Sequence, residues 1–129
     1  MKSIHVSASR AYDVLIERGL LSRLGELTKA NAGGAACALV SDDAVYSLYG
    51  ERAIQSLEGA GYRVEPFVFP HGEASKTLDT YGRLLNFLCE RHLTRTDPVL
   101  ALGGGVVGDL AGFAAATYQR GIPYIQVPT

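Results

Sequence analysis

Short apolar runs, broken by glycine, proline and small polar residues, alternate along this chain with longer segments whose apolar residues return every three or four positions. The first pattern suits strands and the second amphipathic helices. Residues 5–8 and 13–17 predict two short strands around a turn at Ser9-Arg10. Residues 20–30 predict a helix with Leu20, Leu21, Leu24 and Leu27 along one face, stopped by Asn31-Ala32-Gly33-Gly34. An uninterrupted apolar strand follows at 36–40, and Ser41-Asp42-Asp43 supplies N-cap chemistry for a helix over about 44–57. Gly59-Ala60-Gly61 closes that helix, and residues 63–69 alternate as a strand. Pro70-His71-Gly72 reads as a turn before a helix over about 76–91. A strand at 97–102 leads into a glycine turn, a helix to about 119, a turn at Arg120-Gly121 and a final strand at 122–127.

Several of these strands are apolar throughout rather than at every second position. Such strands belong to a parallel sheet covered on both faces, so the pattern predicts a doubly wound α/β domain with a mostly parallel sheet. Ligands of these sheets bind at the carboxyl ends of the strands, near the point where the strand order reverses. Three polar segments fall at such ends: Ser41 to Asp43, Gly72 to Lys76, and Gly103 to Asp109. No internal repeat, linker or low-complexity stretch divides the chain, which reads as one domain over residues 1–129. Thr129 follows the last strand directly, where a doubly wound domain normally continues. The expectation is a piece of a longer protein; the alternative is a small domain that ends on its last strand.

Composition narrows the class. At 129 residues, 47% hydrophobic and 19% charged, the chain is long and apolar enough for one globular core. A net charge of −1 without any basic run argues against a nucleic-acid partner. Cys37 and Cys89 lie far apart in apolar contexts, which predicts two buried free thiols in a reducing compartment. The N-terminus lacks the apolar core of a signal peptide, and a cytoplasmic protein is expected. Val99 to Tyr118 has about the length of a membrane span. It is nevertheless split by three consecutive glycines, and Asp109 near its middle would cost about 2.5–3.5 kcal/mol in a bilayer. The reading is a strand and a helix, with Gly104, Gly108 and Gly112 on one helix face packing close to the sheet or to a ligand, and no membrane partner.

The glycine turn carries the clearest chemistry. In Gly103-Gly104-Gly105-Val106-Val107-Gly108-Asp109, glycines 103, 105 and 108 satisfy G-x-G-x-x-G between a strand and a helix. Such a turn lets a ligand come close, and the helix N-terminus behind it favours an anion, commonly a nucleotide pyrophosphate. Close packing alone is the alternative. Asp42 follows a buried strand and suits either ribose hydroxyls or a helix cap. An ordinary Rossmann dehydrogenase carries its ribose acid about twenty residues after the glycines, whereas here the candidate lies upstream. The turn His71-Gly72-Glu73-Ala74-Ser75-Lys76-Thr77 offers an acid, a base and two hydroxyls, or simply caps the next helix. Asp109 complements a helix dipole, and Arg120 ends a helix or reaches a phosphate. Histidines 5, 71 and 92 make no i, i+4 ligand pair, so no metal site is expected from this segment. Neither a nucleophile elbow nor a catalytic carboxylate pair is present, and no catalytic residue is assigned.

Together, Val40-Ser41-Asp42, Gly72-Glu73-Ala74-Ser75-Lys76-Thr77 and the run LGGGVVGDLAGFAAATYQRGIPYIQVPT over 102–129 closely resemble the 3-dehydroquinate synthase family. The resemblance covers essentially the whole chain but only the amino-terminal part of the family's architecture. It implies a Rossmann-like NAD-binding α/β domain that precedes a mostly helical one, with NAD and a divalent zinc or cobalt ion between them. It implies a homodimeric enzyme of aromatic biosynthesis that converts 3-deoxy-D-arabino-heptulosonate 7-phosphate to 3-dehydroquinate and phosphate. The steps are transient oxidation by NAD, phosphate elimination, reduction and intramolecular aldol closure. It gives Asp42 the adenosine ribose, and places Glu73 and Lys76, within the turn His71 to Lys76, against NAD. Gly103, Gly104 and Gly105, with Val106, Val107, Gly108 and Asp109, become the dinucleotide loop. Thr129 becomes the first of two threonines at NAD, and Arg120 an arginine reaching substrate phosphate in a neighbouring subunit. The family's metal ligands and most substrate lysines belong to the helical part, so this chain is expected not to catalyse alone. Without that part, bared apolar surface is expected to favour self-association. The alternatives are a related sugar-phosphate cyclase making an inosose or valiolone, and a non-catalytic nucleotide-binding module. Glycerol-dehydrogenase-like enzymes typically carry Gly-Gly-Gly-Ser, unlike the Val106-Val107-Gly108-Asp109 continuation here.

Overall fold

The computed structural model describes all 129 residues. An antiparallel hairpin, β1 (Lys2–Val6) and β2 (Tyr12–Ile16), precedes the main body. β1 lies earlier than its apolar positions suggested and ends at Val6, because the turn to β2 spans residues 7–11 rather than Ser9-Arg10 alone; β2 starts one residue early, where Tyr12 pairs with Val6. The body then runs α1 (Leu24–Ala32), β3 (Ala36–Asp42), α2 (Asp43–Gly59), β4 (Arg63–Phe69), α3 (Leu78–Glu90), β5 (Val99–Gly103), α4 (Gly105–Thr117) and β6 (Tyr124–Pro128). Its four strands are all parallel, in the order β4-β3-β5-β6.

Successive residues of the central strands face opposite sides, which explains why these strands are apolar throughout. On one face, Ala38 and Val40 of β3 and Val99 and Ala101 of β5 pack with Leu84 and Leu88 of α3 and Leu110, Ala111 and Ala114 of α4. On the other, Cys37 and Leu39 of β3 and Leu100 and Leu102 of β5 pack with Leu24 of α1 and Ala53 and Leu57 of α2. The doubly wound reading is therefore correct, with two helices on each face. The outer strands β4 and β6 alternate between covered and exposed residues, as one-sided edges do.

Several boundaries differ for identifiable reasons. The helix expected at 20–30 splits into a 3-10 turn, Leu20–Arg23, and α1. The Gly25 amide donates to Ser56 Oγ of α2 at 2.9 Å, so tertiary contact takes over where a continuous helix would have bonded to itself. Thr77 caps α3 by accepting from the Thr80 amide, which moves the helix start from 76 to Leu78. β5 starts at Val99 rather than 97, because Asp97 is committed to a turn. α4 ends at Thr117 rather than 119: Gln119 and Arg120 have φ of +51° and +64°, a left-handed pair that turns the chain toward β6. Gly104 precedes α4 and does not share its glycine face. Gly108 and Gly112 do, and a Cβ at either would touch Tyr124 or Gln126 of β6 at 3.4–3.7 Å. Tyr124 Oη donates to the Gly108 carbonyl at 3.1 Å across this contact. Cys37 is buried as expected, and burial pushes its thiol up to about 12. Cys89 is exposed, because it falls on the outer face of α3. No helix is long and apolar enough to cross a membrane.

Candidate functional site

The chain leaves β3 toward β4 on one side of the sheet and returns through α3 to β5 on the other. The carboxyl ends of β3 and β5 thus form the switch point, the crevice where open α/β sheets hold ligands. Ser41, fully buried, ties these ends together by donating from Oγ to the Leu102 carbonyl at 2.7 Å.

The glycine turn occupies this crevice, and its glycines serve different ends. Gly103 has a φ of +153°, and a Cβ there would come within 2.8 Å of Val107, so the chain's own geometry requires glycine. Gly104 and Gly105 carry no such demand. Neither has a positive φ, and a Cβ on either would meet nothing within 4 Å. Gly104 sits at the N-cap of α4 with no side-chain cap, so no capping side chain satisfies the first amides of the helix. Asp109 lies one turn along. Register pairs Gly103 with Pro128, which brings Thr129 level with this turn.

Two further segments converge on the crevice. Asp42 caps α2, its Oδ1 accepting from the Val45 amide at 2.8 Å, which leaves the other carboxylate oxygen for a ligand. The turn from His71 to Lys76 follows β4, with Gly72 at φ +103° and Glu73 to Ser75 as a single 3-10 turn. Ser75 Oγ braces it by donating to the Pro70 carbonyl. Lys76 Nζ reaches Asp109 Oδ2 at 2.7 Å, and this bond holds its ammonium above the ordinary lysine range. The pair links the turn to α4 beside a cleft of about 320 Å³ that Tyr81 and Phe113 also line.

Sequence reasoning missed two linkages. Asp43, read only as part of an N-cap segment, accepts from both the amide and the ring of His71. Ser41, read as part of the same polar segment at the carboxyl end of a strand, ties β3 to β5 instead. Both act on residues far away in sequence, so no local pattern announces them. Arg120 is not brought to the crevice: it lies past the far end of α4, with Arg95 and Gln119 around a separate recess. No three His, Cys, Asp or Glu side chains are grouped as a metal ion requires.

A parallel doubly wound sheet with an open glycine turn at its switch point defines a Rossmann-like α/β domain. The family model described as 3-dehydroquinate synthase N-terminal matches residues 66–129. The 3-dehydroquinate synthase of Streptococcus suis is 51% identical over 118 residues, which are 92% of this chain and 33% of that protein. Among solved structures, 2-deoxy-scyllo-inosose synthase complexed with carbaglucose-6-phosphate, NAD+ and Co2+ superposes with a TM-score of 0.89 at 26% identity, covering 99% of this chain and 35% of that one. The 2-epi-5-epi-valiolone synthase of Streptomyces hygroscopicus subsp. jinggangensis 5008, with NAD+ and Zn2+ bound, superposes at 0.77 with 34% identity, covering 95% and 34%. The chain belongs to the 3-dehydroquinate synthase family. It spans about a third of the length of the curated relatives it matches.

Proposed function

We propose that residues 1–129 form the NAD-binding α/β part of a 3-dehydroquinate synthase. The observation that carries this reading is the pair Gly104 and Gly105, whose missing side chains serve no need of the chain's own fold and leave the N-terminus of α4 open. An uncapped helix start beside Lys76 favours an anion, and backbone this bare lets a pyrophosphate approach the amides. NAD fits this cradle. Gly104, Gly105 and the free amides at the start of α4 hold the pyrophosphate, Asp109 completes the loop on the side of Lys76, Asp42 accepts from the adenosine ribose, and Glu73, Lys76 and Thr129 close around the rest. Identity of 51% to a 3-dehydroquinate synthase, against 26% and 34% to the two cyclases of other specificity, favours that substrate over an inosose or valiolone precursor.

The chemistry such a cofactor would supply is reversible hydride removal from the ring carbon that bears a hydroxyl, whose proton is lost as the ketone forms; that ketone acidifies the neighbouring C–H so that phosphate can leave. The residues of this chain bind and orient. Lys76, released from Asp109, offers a cation to an incoming phosphate or carboxylate, and Asp42 fixes the ribose in register. Arg120, at the opposite end of α4 with a guanidinium suited to phosphate, reaches substrate in a second copy of the enzyme. The metal ligands and the base that moves the proton come from outside these residues, and the chain alone releases no phosphate.

Calorimetric titration with NAD+ tests the reading. The chain binds NAD+, and Gly105→Asp, which puts a side chain and a negative charge on the pyrophosphate, abolishes binding. Equal affinity in the two proteins would sink the assignment.

A further inference from the structure

The turn that carries Glu73 and Lys76 leaves an edge strand and is built from a glycine at positive φ and one 3-10 turn. Such a segment has little local structure to fix it. Across the crevice, α2 begins with two consecutive acids. Asp42 is committed to its cap. Asp43 points outward, and its Oδ1 accepts from the His71 amide at 3.0 Å and from His71 Nδ1 at 2.6 Å. One carboxylate oxygen therefore grips the first residue of the turn by main chain and side chain together, 28 positions along the sequence.

We infer that Asp43 is a positioning residue of the cofactor site, a clamp that fixes the turn His71 to Lys76 against the N-terminus of α2. This rests on the reading of that turn as part of the NAD site. Asp43 itself touches no ligand; it acts through the placement of Glu73 and Lys76. The clamp also has a pH range. The charged groups that face the His71 ring are Asp43 and Asp42, both from the start of α2. Hydrogen bonding to Asp43 holds the imidazole above its ordinary range, and the same bond holds the Asp43 carboxyl below its own. The charged pair is thus complete from the ordinary carboxylate range up to the raised histidine value, and weakens as pH rises through that value. A neutral imidazole still donates from Nδ1 in one tautomer, so the clamp loosens rather than opens. The turn is held more firmly at mildly acidic than at alkaline pH.

Two measurements on the chain decide this. Proton NMR of the His71 ring in the absence of ligand gives a titration midpoint above the ordinary value of about 6.5, and Asp43→Asn lowers it. NAD+ titration at about pH 6 and about pH 8.5 gives roughly threefold tighter binding at the lower pH, and Asp43→Asn weakens binding severalfold and flattens the difference. Asp13→Asn, which breaks the other exposed pair of this kind, His5 Nδ1 to Asp13 at 2.8 Å in the hairpin, changes neither result. A variant midpoint equal to the wild-type one overturns the clamp. So does a variant that keeps the full pH dependence of binding, since the ring charge would then act on the cofactor directly. If Asp43→Asn does not fold, a wild-type midpoint at or below the ordinary value overturns the clamp by itself. Absence of NAD+ binding by the wild type at both pH values would fell the functional reading, while the ring titration still decides the clamp.

Discussion

The two ends of the sheet are built on opposite principles. At the amino end, Asp97 is buried to 4% exposure and spends both carboxylate oxygens inside the chain. Oδ1 accepts from the amides of Ala35 and Ala36, and Oδ2 from the amide and hydroxyl of Thr94. Gly34 packs so closely there that a Cβ would lie 2.6 Å from the Thr96 carbonyl. At the carboxyl end, the helix start at Gly104 has no cap, and two glycines face empty space. A polar group whose partners all lie within the chain contributes stability. One presented without partners costs stability and is free for a ligand. The contrast distinguishes residues that hold the domain together from residues that are there for something else.

The comparison breaks most visibly at Asp97. Asp97→Ala leaves buried amides without acceptors and lowers unfolding stability by about 3 kcal/mol in urea denaturation. A loss within a few tenths of a kcal/mol of zero would mean water replaces the carboxylate. Burial alone would raise the Asp97 pKa, but the backbone bonds from Thr94, Ala36 and Ala35 outweigh it and hold the carboxyl below its ordinary range. Its contribution is therefore complete above about pH 4 and lost as pH falls through the depressed value, so acid unfolding of the variant begins from a lower plateau with a shallower slope. Gly103→Ala, at the carboxyl end, tests the one glycine of the turn that the fold itself requires, again by urea denaturation. It forces a non-glycine into φ +153° against Val107 and costs about 2 kcal/mol.

A smaller effect sharpens the distinction between requirement and accident. α2 and α3 close with the same bond pattern, Tyr62 to Leu57 with Gly61 to Glu58 in one, and Leu93 to Leu88 with His92 to Cys89 in the other. The left-handed position is glycine in the first and His92, at φ +60°, in the second. His92→Gly relieves that conformation and raises stability by about 1 kcal/mol by thermal melting; a lower melting temperature would show that the imidazole makes a contact worth more than the strain. The smallest stability effect belongs to the open end. Gly105→Asp has room for its Cβ and places an acid in the first turn of α4, so stability stays within about 0.5 kcal/mol while NAD+ binding is lost. A marked loss of stability there would mean Gly105 serves the fold after all.

Much of this was legible from the chain. The unbroken apolar runs at β3 and β5 report strands buried on both faces, and the alternation at β4 reports an edge. The glycine run between a strand and a helix located the turn that the structure sets at the switch point. The resemblance across 102–129 named the family that the comparisons bear out. Boundaries were harder wherever a distant group competed for a backbone amide, as Ser56 does at Gly25. The exposure of Cys89 depended on which way one helix position faces.

The sequence by itself determined the order of elements, the parallel sheet and the glycine turn, because period and composition act locally and repeat along each segment. Only the tertiary structure decided which glycines the fold requires, since that depends on what stands opposite each missing Cβ: Val107 at Gly103 and nothing at Gly104 or Gly105. It alone placed Arg120 at the far end of α4 and joined Asp43 to His71 across the crevice. Such pairings depend on how helices pack across a sheet, and packing brings together residues whose separation in sequence carries no signal of their contact.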